Sequence, residues 1–210
     1  MASKNTLNHA LFILLVASAA SHIANAGDPD IISDFIIPSN LNPANVTGTF
    51  FTYTGMRTLI TADPPKTFTV LKATMEQFPA LNGQSVSYAT LLFPNGSVNP
   101  PHTHPRSAEL LFLIDGSLEV GFVDTTNKLY TQTLLPGDIF VFPKGLVHYQ
   151  YCISNDIAIA VSAFGSASAG TVSVPASVFI SGIDDDILAK SFKTDVATIQ
   201  KIKAGLASKA

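Results

Sequence analysis

The 210-residue sequence predicts an all-β domain, a barrel or sandwich of short strands with a short C-terminal helical extension. Three observations lead there. Runs rich in Val, Ile, Leu, Phe, Thr and Tyr recur with turn formers between them, at intervals of about 8–12 residues. Phe is abundant at 14 residues, which favours strands. Only the tail changes to a spacing of three and four, which is helical.

The elements follow in chain order. Residues 1–26 read as a signal peptide: Lys4 is weakly basic, Leu11 to Ala20 is apolar, and Ala24-Asn25-Ala26 fits a cleavage site before Gly27. The run is shorter than the ~20 apolar residues that a membrane helix needs. The expected mature protein is secreted and spans no membrane. Residues 27–66 form an N-terminal arm, Pro- and Asn-rich from Asp28 to Met56. The barrel is expected over 67–180. Its candidate strands are Thr67 to Thr74, Ser85 to Phe93, Glu109 to Asp115, Leu118 to Val123, Lys128 to Leu135, Ile139 to Phe142 and Ile157 to Phe164. Residues 181–210 hold the helices, Asp184 to Phe192 and Thr194 to Leu206. Acidic and capping groups stand at their starts. Val196, Ile199, Ile202 and Leu206 make one apolar stripe, expected to bury against a partner subunit, with the chain's own barrel as the alternative.

Composition removes several classes of function. Hydrophobic residues make up 47% and charged residues 13%, against roughly 25% charged in ordinary domains, so the chain is not a disordered one. A formal net charge of −3 argues against nucleic-acid binding, since phosphates need cations. The lone Cys152 excludes a disulfide scaffold and a zinc ribbon, and reads as a buried thiol. Two sequons, Asn45-Val46-Thr47 and Asn95-Gly96-Ser97, fit a secreted glycoprotein modified at Asn45 and Asn95.

Beyond residue 26 the only histidines are His102, His104 and His148, and the only glutamates are Glu76, Glu109 and Glu119. On a strand, the His102-x-His104 spacing points both imidazoles to one face. Pro105 helps to end that strand and Glu109 begins the next, so an antiparallel return brings its carboxylate beside the histidines. Pro143 and Gly145 form a turn that delivers His148. Three imidazoles and a carboxylate make a metal site; four ligands with positions left open fit six-coordinate Mn or Fe better than tetrahedral Zn.

These stretches resemble the paired motifs of the cupin superfamily, and within it the germin-like proteins of plants. Gly96, His102, His104, Glu109 and Gly116 fit the first motif at every spacing. Gly137, Pro143, Gly145 and His148 fit the second, whose final Asn is Cys152 here. The phrase NPPHTHPR, Asn99 to Arg106, is similar to germins almost letter for letter. The resemblance implies a cupin jelly-roll barrel that binds Mn through His102, His104, Glu109 and His148, secreted to the cell wall or apoplast. It also implies a homo-oligomer, a hexamer built as a trimer of dimers, acting on a small molecule.

Members of that family include oxalate oxidases, superoxide dismutases and proteins without proven activity. Asn99 matches one asparagine that holds substrate in oxalate oxidases, but Ala89 stands where another is expected. Cys152, four residues after His148, is expected to face the metal's side of its strand. The usual disulfide of the N-terminal arm is absent. The preferred reading is therefore superoxide dismutation. The alternatives are oxalate oxidation, a non-catalytic wall-associated binding or nutrient-reservoir protein, and an Fe-dependent dioxygenase.

Overall fold

The computed structural model describes residues 27–207; the signal peptide read in the sequence lies outside them. Ten strands carry the fold: β1 (Thr69–Ala73), β2 (Ser87–Phe93), β3 (Val98–Thr103), β4 (Glu109–Asp115), β5 (Leu118–Val123), β6 (Leu129–Leu134), β7 (Ile139–Phe142), β8 (Val147–Cys152), β9 (Ala158–Phe164) and β10 (Val172–Ser173). They form two antiparallel five-stranded sheets, ordered β1-β2-β9-β4-β7 and β10-β3-β8-β5-β6. The all-β reading holds, and the predicted strands agree with the observed ones to within a few residues.

Consecutive strands repeatedly cross from one sheet to the other, which wraps the pair into a jelly roll. The turn from β4 to β5 shows how tightly. Gly116 sits at φ +80°, and a Cβ there would lie 2.6 Å from Ala158 Cβ. Only glycine meets both the backbone angle and the space.

Alternation sorts the side chains. On β4, Leu111 and Leu113 point inward and are fully buried, whereas Leu110, Phe112 and Ile114 point outward and are exposed. Leu91, Phe93, Leu118, Val120, Phe142, Ala158, Ala160 and Cys152 complete the apolar core. Each large side chain buried this way contributes about 1.5–3 kcal/mol. The outward face of β4 pairs with that of β7, Leu110 opposite Val141 and Phe112 opposite Ile139, so apolar residues also cover part of the outside.

The arm is fastened without a disulfide. Ser166 Oγ and Ala167 N both donate to the Asp28 carboxylate, each at 2.6 Å. Gln84 Nε2 donates to Asp34 O, and Tyr53 stacks on Phe78 while its hydroxyl donates to Lys72 O. A single helical turn, α1 (Thr58–Thr61), lies within it.

Three helices follow the barrel: α2 (Val174–Phe179), α3 (Asp185–Phe192) and α4 (Val196–Ala207). The short α2 is not legible as a helix in the sequence. Asp184 caps α3 by accepting from Asp186 N and Ile187 N, and Asp195 accepts from Thr198 N at the start of α4. Ile199 is fully buried against Leu188 and Ala189, with Val178, Phe179 and Val196 around it. Half of the predicted stripe therefore docks on the chain's own α2 and α3, not on the barrel. Ile202 stays exposed, as do Ile183, Ile187 and Phe192 in the same helical cluster. No helix among the described residues is long and apolar enough to cross a membrane.

Candidate metal centre

The barrel interior turns polar at one end. There the inward positions of the strands carry His102, Glu109, His148, Gln150 and Ser162, all buried. His102 lies on β3 directly opposite His148 on β8. Pro100 and Pro101 lie within β3 itself, at an irregularity where the β3–β8 register shifts between Asn99 and His102. Prolines cannot donate to a ladder and are tolerated at such breaks. His104 follows the end of β3. Glu109 opens β4 in the opposite sheet, so the cluster bridges both sheets.

The four predicted residues do come together. One ligand atom from each of His102, His104, Glu109 and His148 lies within 4.8 Å of all the others. Glu109 Oε2 is 3.0 Å from His104 Nε2 and 3.1 Å from His148 Nε2. The far side of each ring is already used. Nδ1 of His102 meets Pro100 O at 2.8 Å, Nδ1 of His148 meets Leu146 O at 2.8 Å, and Nδ1 of His104 meets Gly170 O. A carbonyl only accepts, so each Nδ1 carries a proton and each ring turns its Nε2 inward, where a lone pair can hold a cation. Gly170 can make this contact because, at φ +72°, it leaves space for Arg106, whose Nη2 a Cβ would approach to 2.8 Å.

Three lone pairs and a carboxylate facing one point repel each other unless a cation lies among them. That cation is either bound protons or a metal ion, and the donor set, nitrogen with one oxygen, suits a first-row divalent metal. The backbone carbonyls hold the rings in the orientation that such ligands require. Phe142 stacks on His148 at 4.5 Å between centroids, and Phe164 meets His104 edge-on at 4.8 Å, so apolar rings shield the cluster.

The electrostatics agree. Burial, helped by the neighbouring His148, lowers His102 to about 4, so it stays neutral and able to ligate in mildly acidic solution. Burial alone pushes the Glu109 carboxyl up, but the protons that His104 and His148 carry at Nε2 while no metal is bound donate to it, outweigh burial and hold the group at about 2. Glu109 is thus an anion throughout the working range.

A cavity of about 320 Å³ opens onto the cluster. His102, His104, Glu109 and Asn99 line its floor. Val70, Ala89 and Leu91 give it an apolar wall, and Lys72 and Arg106 also line it. The polar set extends behind the floor: Asn99 Nδ2 donates to Gln150 Oε1 at 2.7 Å, and Ser162 Oγ donates to Glu109 Oε1 at 2.6 Å.

The cupin family matches over residues 62–200. Germin-like protein 9-3 of Oryza sativa subsp. japonica is 62% identical, over 93% of this chain and 94% of its own length. Germin-like protein subfamily 2 member 2 of Arabidopsis thaliana is 35% identical over the whole of this chain and 99% of its own. The chain belongs to the germin-like proteins of the cupin family.

Among solved structures, an oxalate oxidase covers 87% of this germin-like chain and 100% of itself, with a TM-score of 0.77 at 28% identity. A second, in complex with the substrate analogue glycolate, gives 0.78 at 26% identity.

The remaining sequence-predicted residues divide. Asn99 Nδ2 lies 3.5 Å from His102 Nε2. Ala89 lines the cavity as part of its apolar wall. Cys152 shares the inward face of β8 with His148, but Gln150 stands between them. Its thiol packs in the apolar core, with its Sγ 3.8 Å from Asp156 O. The Asn-to-Cys departure therefore changes the core and leaves the cavity's lining untouched. Both sequon asparagines are exposed; Asn95 Nδ2 already donates to Asn155 O. Gln150 and Ser162 were not legible as site residues. Both are common polar types, and only the pairing of β8 with β3 and of β9 with β4 brings them to Glu109.

Proposed function

We propose that this germin-like protein is a secreted manganese-binding protein of the plant cell wall with superoxide dismutase activity. The observation that carries the reading is the convergence of three Nε2 atoms and Glu109 Oε2 on one point, each imidazole held there by a backbone carbonyl. His102, His104, Glu109 and His148 would hold the ion. Manganese bound there would supply the one-electron redox change that dismutation needs.

The chain's own residues supply the rest. Glu109, kept anionic, favours a higher positive charge at the centre. Lys72 and Arg106 at the cavity attract an anion such as superoxide, against the opposing charge of Glu76 in the same lining. Phe142 and Phe164 exclude bulk water from the sides of the cluster. A diatomic anion needs little orientation, which suits a wall built from Val70, Ala89 and Leu91. Dismutation turns two superoxide ions and two protons into O2 and H2O2, and the protons come from solvent.

Oxalate oxidation is the second reading. The likeness to oxalate oxidases and the Asn99 amide at the cavity floor favour it. Ala89 weighs against it, because a methyl group offers a dicarboxylate no hydrogen bond. Metal analysis of natively purified protein, with superoxide and oxalate assays on the same sample, decides among the readings. Manganese with strong superoxide activity is expected. Strong oxalate oxidation would overturn the preference, and retained metal without either activity would select a binding or storage role.

The secreted route accounts for residues 1–26 as a signal peptide and for glycans at Asn45 and Asn95, of which Asn45 has the freer amide. The boundaries follow: an arm over 27–66, the barrel with its closing helix α2 over 67–180, and the C-terminal extension over 181–210. We place a hexamer, a trimer of dimers, on the two uncovered apolar surfaces. One is the outer face of β4 and β7; the other is Ile183, Ile187, Phe192 and Ile202 of the helical cluster. Truncation after Ser191 is expected to reduce the oligomer by light scattering, and an unchanged hexamer would reject the helical contact.

A further inference from the structure

Glu109 uses its two oxygens differently. Oε2 faces His104 and His148 at 3.0 and 3.1 Å. Oε1 accepts a 2.6 Å hydrogen bond from the Ser162 hydroxyl and meets Gln150 Nε2 at 3.5 Å. Ser162 is 0% exposed and Glu109 2%, so no water competes for Oε1. A hydroxyl facing a carboxylate oxygen can only donate. The register explains the reach: Ser162 on β9 stands opposite Leu111 of β4, one inward step from Glu109.

We propose that Ser162 is a positioning residue that reserves Oε1, so that Glu109 offers the metal one oxygen rather than two. The inference rests on the metal-binding reading above. Carboxylates hold cations with either one or both oxygens, and the choice follows from what else the second oxygen is doing. Here a short charge-assisted bond holds it. Turning Oε1 onto the ion would leave a buried hydroxyl without an acceptor, which is costly in a dry interior. The consequence is one more coordination position left for solvent or substrate. Gln150 Nε2 adds little at its longer distance, while Gln150 Oε1 accepts from Asn99.

The test compares Mn(II)-loaded wild type with Ser162→Ala and Ser162→Thr. Solvent proton relaxation per bound ion counts the exchanging waters. Infrared spectra of protein labelled with 13C-glutamate report whether a ligating carboxylate uses one oxygen or both. Wild type is expected to show the wide stretching separation of a one-oxygen carboxylate. Ser162→Ala should show the narrower two-oxygen pattern and lose the relaxation share of one exchanging water; Ser162→Thr should match wild type. A two-oxygen pattern in wild type would overturn the proposal, and so would Ser162→Ala indistinguishable from wild type in both measurements. The wild-type spectrum decides alone if the Ala variant does not fold. Wild-type protein that bound no Mn(II) would overturn the metal-binding reading along with it.

Discussion

The two ends of the barrel interior are built from the same strands and do opposite work. On β4 the inward residues run Glu109, Leu111, Leu113; on β8, His148, Gln150, Cys152; on β9, Ser162, then Ala160 and Ala158. Each strand passes from a polar group to an apolar side chain within about two inward steps, some 13 Å at strand spacing. The apolar end is held by burial, which needs no partner chemistry. The polar end gathers lone pairs and a carboxylate that repel until a cation joins them. Stability and function are therefore separable by level along the barrel.

The largest effect should come from removing a ligand at the polar end. His104→Ala takes away one Nε2 and the Gly170 contact together. Metal occupancy, measured by elemental analysis after dialysis, is expected to fall more than tenfold while the protein remains folded by circular dichroism. Full occupancy would show that the four residues are not the site.

At the apolar end the expected pattern reverses. Leu113 is fully buried among Phe93, Leu118 and Ala160, so Leu113→Ala leaves a cavity and should cost about 2–5 kcal/mol in urea unfolding. Once refolded it should bind metal as wild type does. A loss of metal affinity as large as that of His104→Ala would mean that the two ends are coupled.

Acid sharpens the same contrast. His102 is lowered to about 4 in the fold, and an unfolded chain takes up that proton near its ordinary 6.5. The unfolded state then binds more protons between these values, so metal-free protein should lose stability as pH falls from 6.5 to about 4. The slope is at most ~1.4 kcal/mol per pH unit for this one group. Glu109, held at about 2, adds stability that is complete above its ordinary 4.5 and lost as pH falls through 2. Thermal melts of chelator-treated protein at several pH values check this. Leu113→Ala should displace the whole curve downward without changing its shape, because His102 and Glu109, the groups that bend it, lie at the other end.

The two ends also differ in how far they could be read beforehand. Alternation in ELLFLID and the histidine spacing around Pro105 are local patterns, so the strands, the inward faces and the four cluster residues were legible. The level of a residue along the barrel is not local. It depends on which strands pair and in what register. Cys152 could be placed on the face of His148 but not two steps deeper, beside Leu118. Ser162 carries no signal of its own, since its acceptor lies 53 residues away. The fastening of Asp28 to Ser166 and Ala167 was hidden for the same reason.

Placing Cys152 at the apolar end reassigns the effect of the substitution that the second motif invites. Cys152→Asn would bury an amide among Leu118, Phe93 and Ala158, where the one acceptor near the thiol is Asp156 O. It should cost about 1–3 kcal/mol and leave metal content and oxalate turnover unchanged. A gain in oxalate turnover would place this residue in the site after all.

Ala89→Asn tests the other end with the smallest perturbation. Ala89 faces inward on β2, between Lys72 of β1 and Ser162 of β9, and lines the cavity beside the cluster. An amide there has open volume to occupy, so the fold should change little. Its N–H groups would face the space that an oxalate occupies in reaching the centre, opposite the Asn99 amide. A hydrogen bond to a carboxylate is worth about 1.5–3 kcal/mol, which corresponds to a gain of roughly 10- to 150-fold in kcat/KM for oxalate. Superoxide makes no use of a second amide, so its dismutation should stay near the wild-type rate. Measuring both rates on one preparation, normalised to bound manganese, separates the cases. Equal changes in the two would show that Ala89 acts through the metal, and an oxalate gain alone would show that it acts through the substrate.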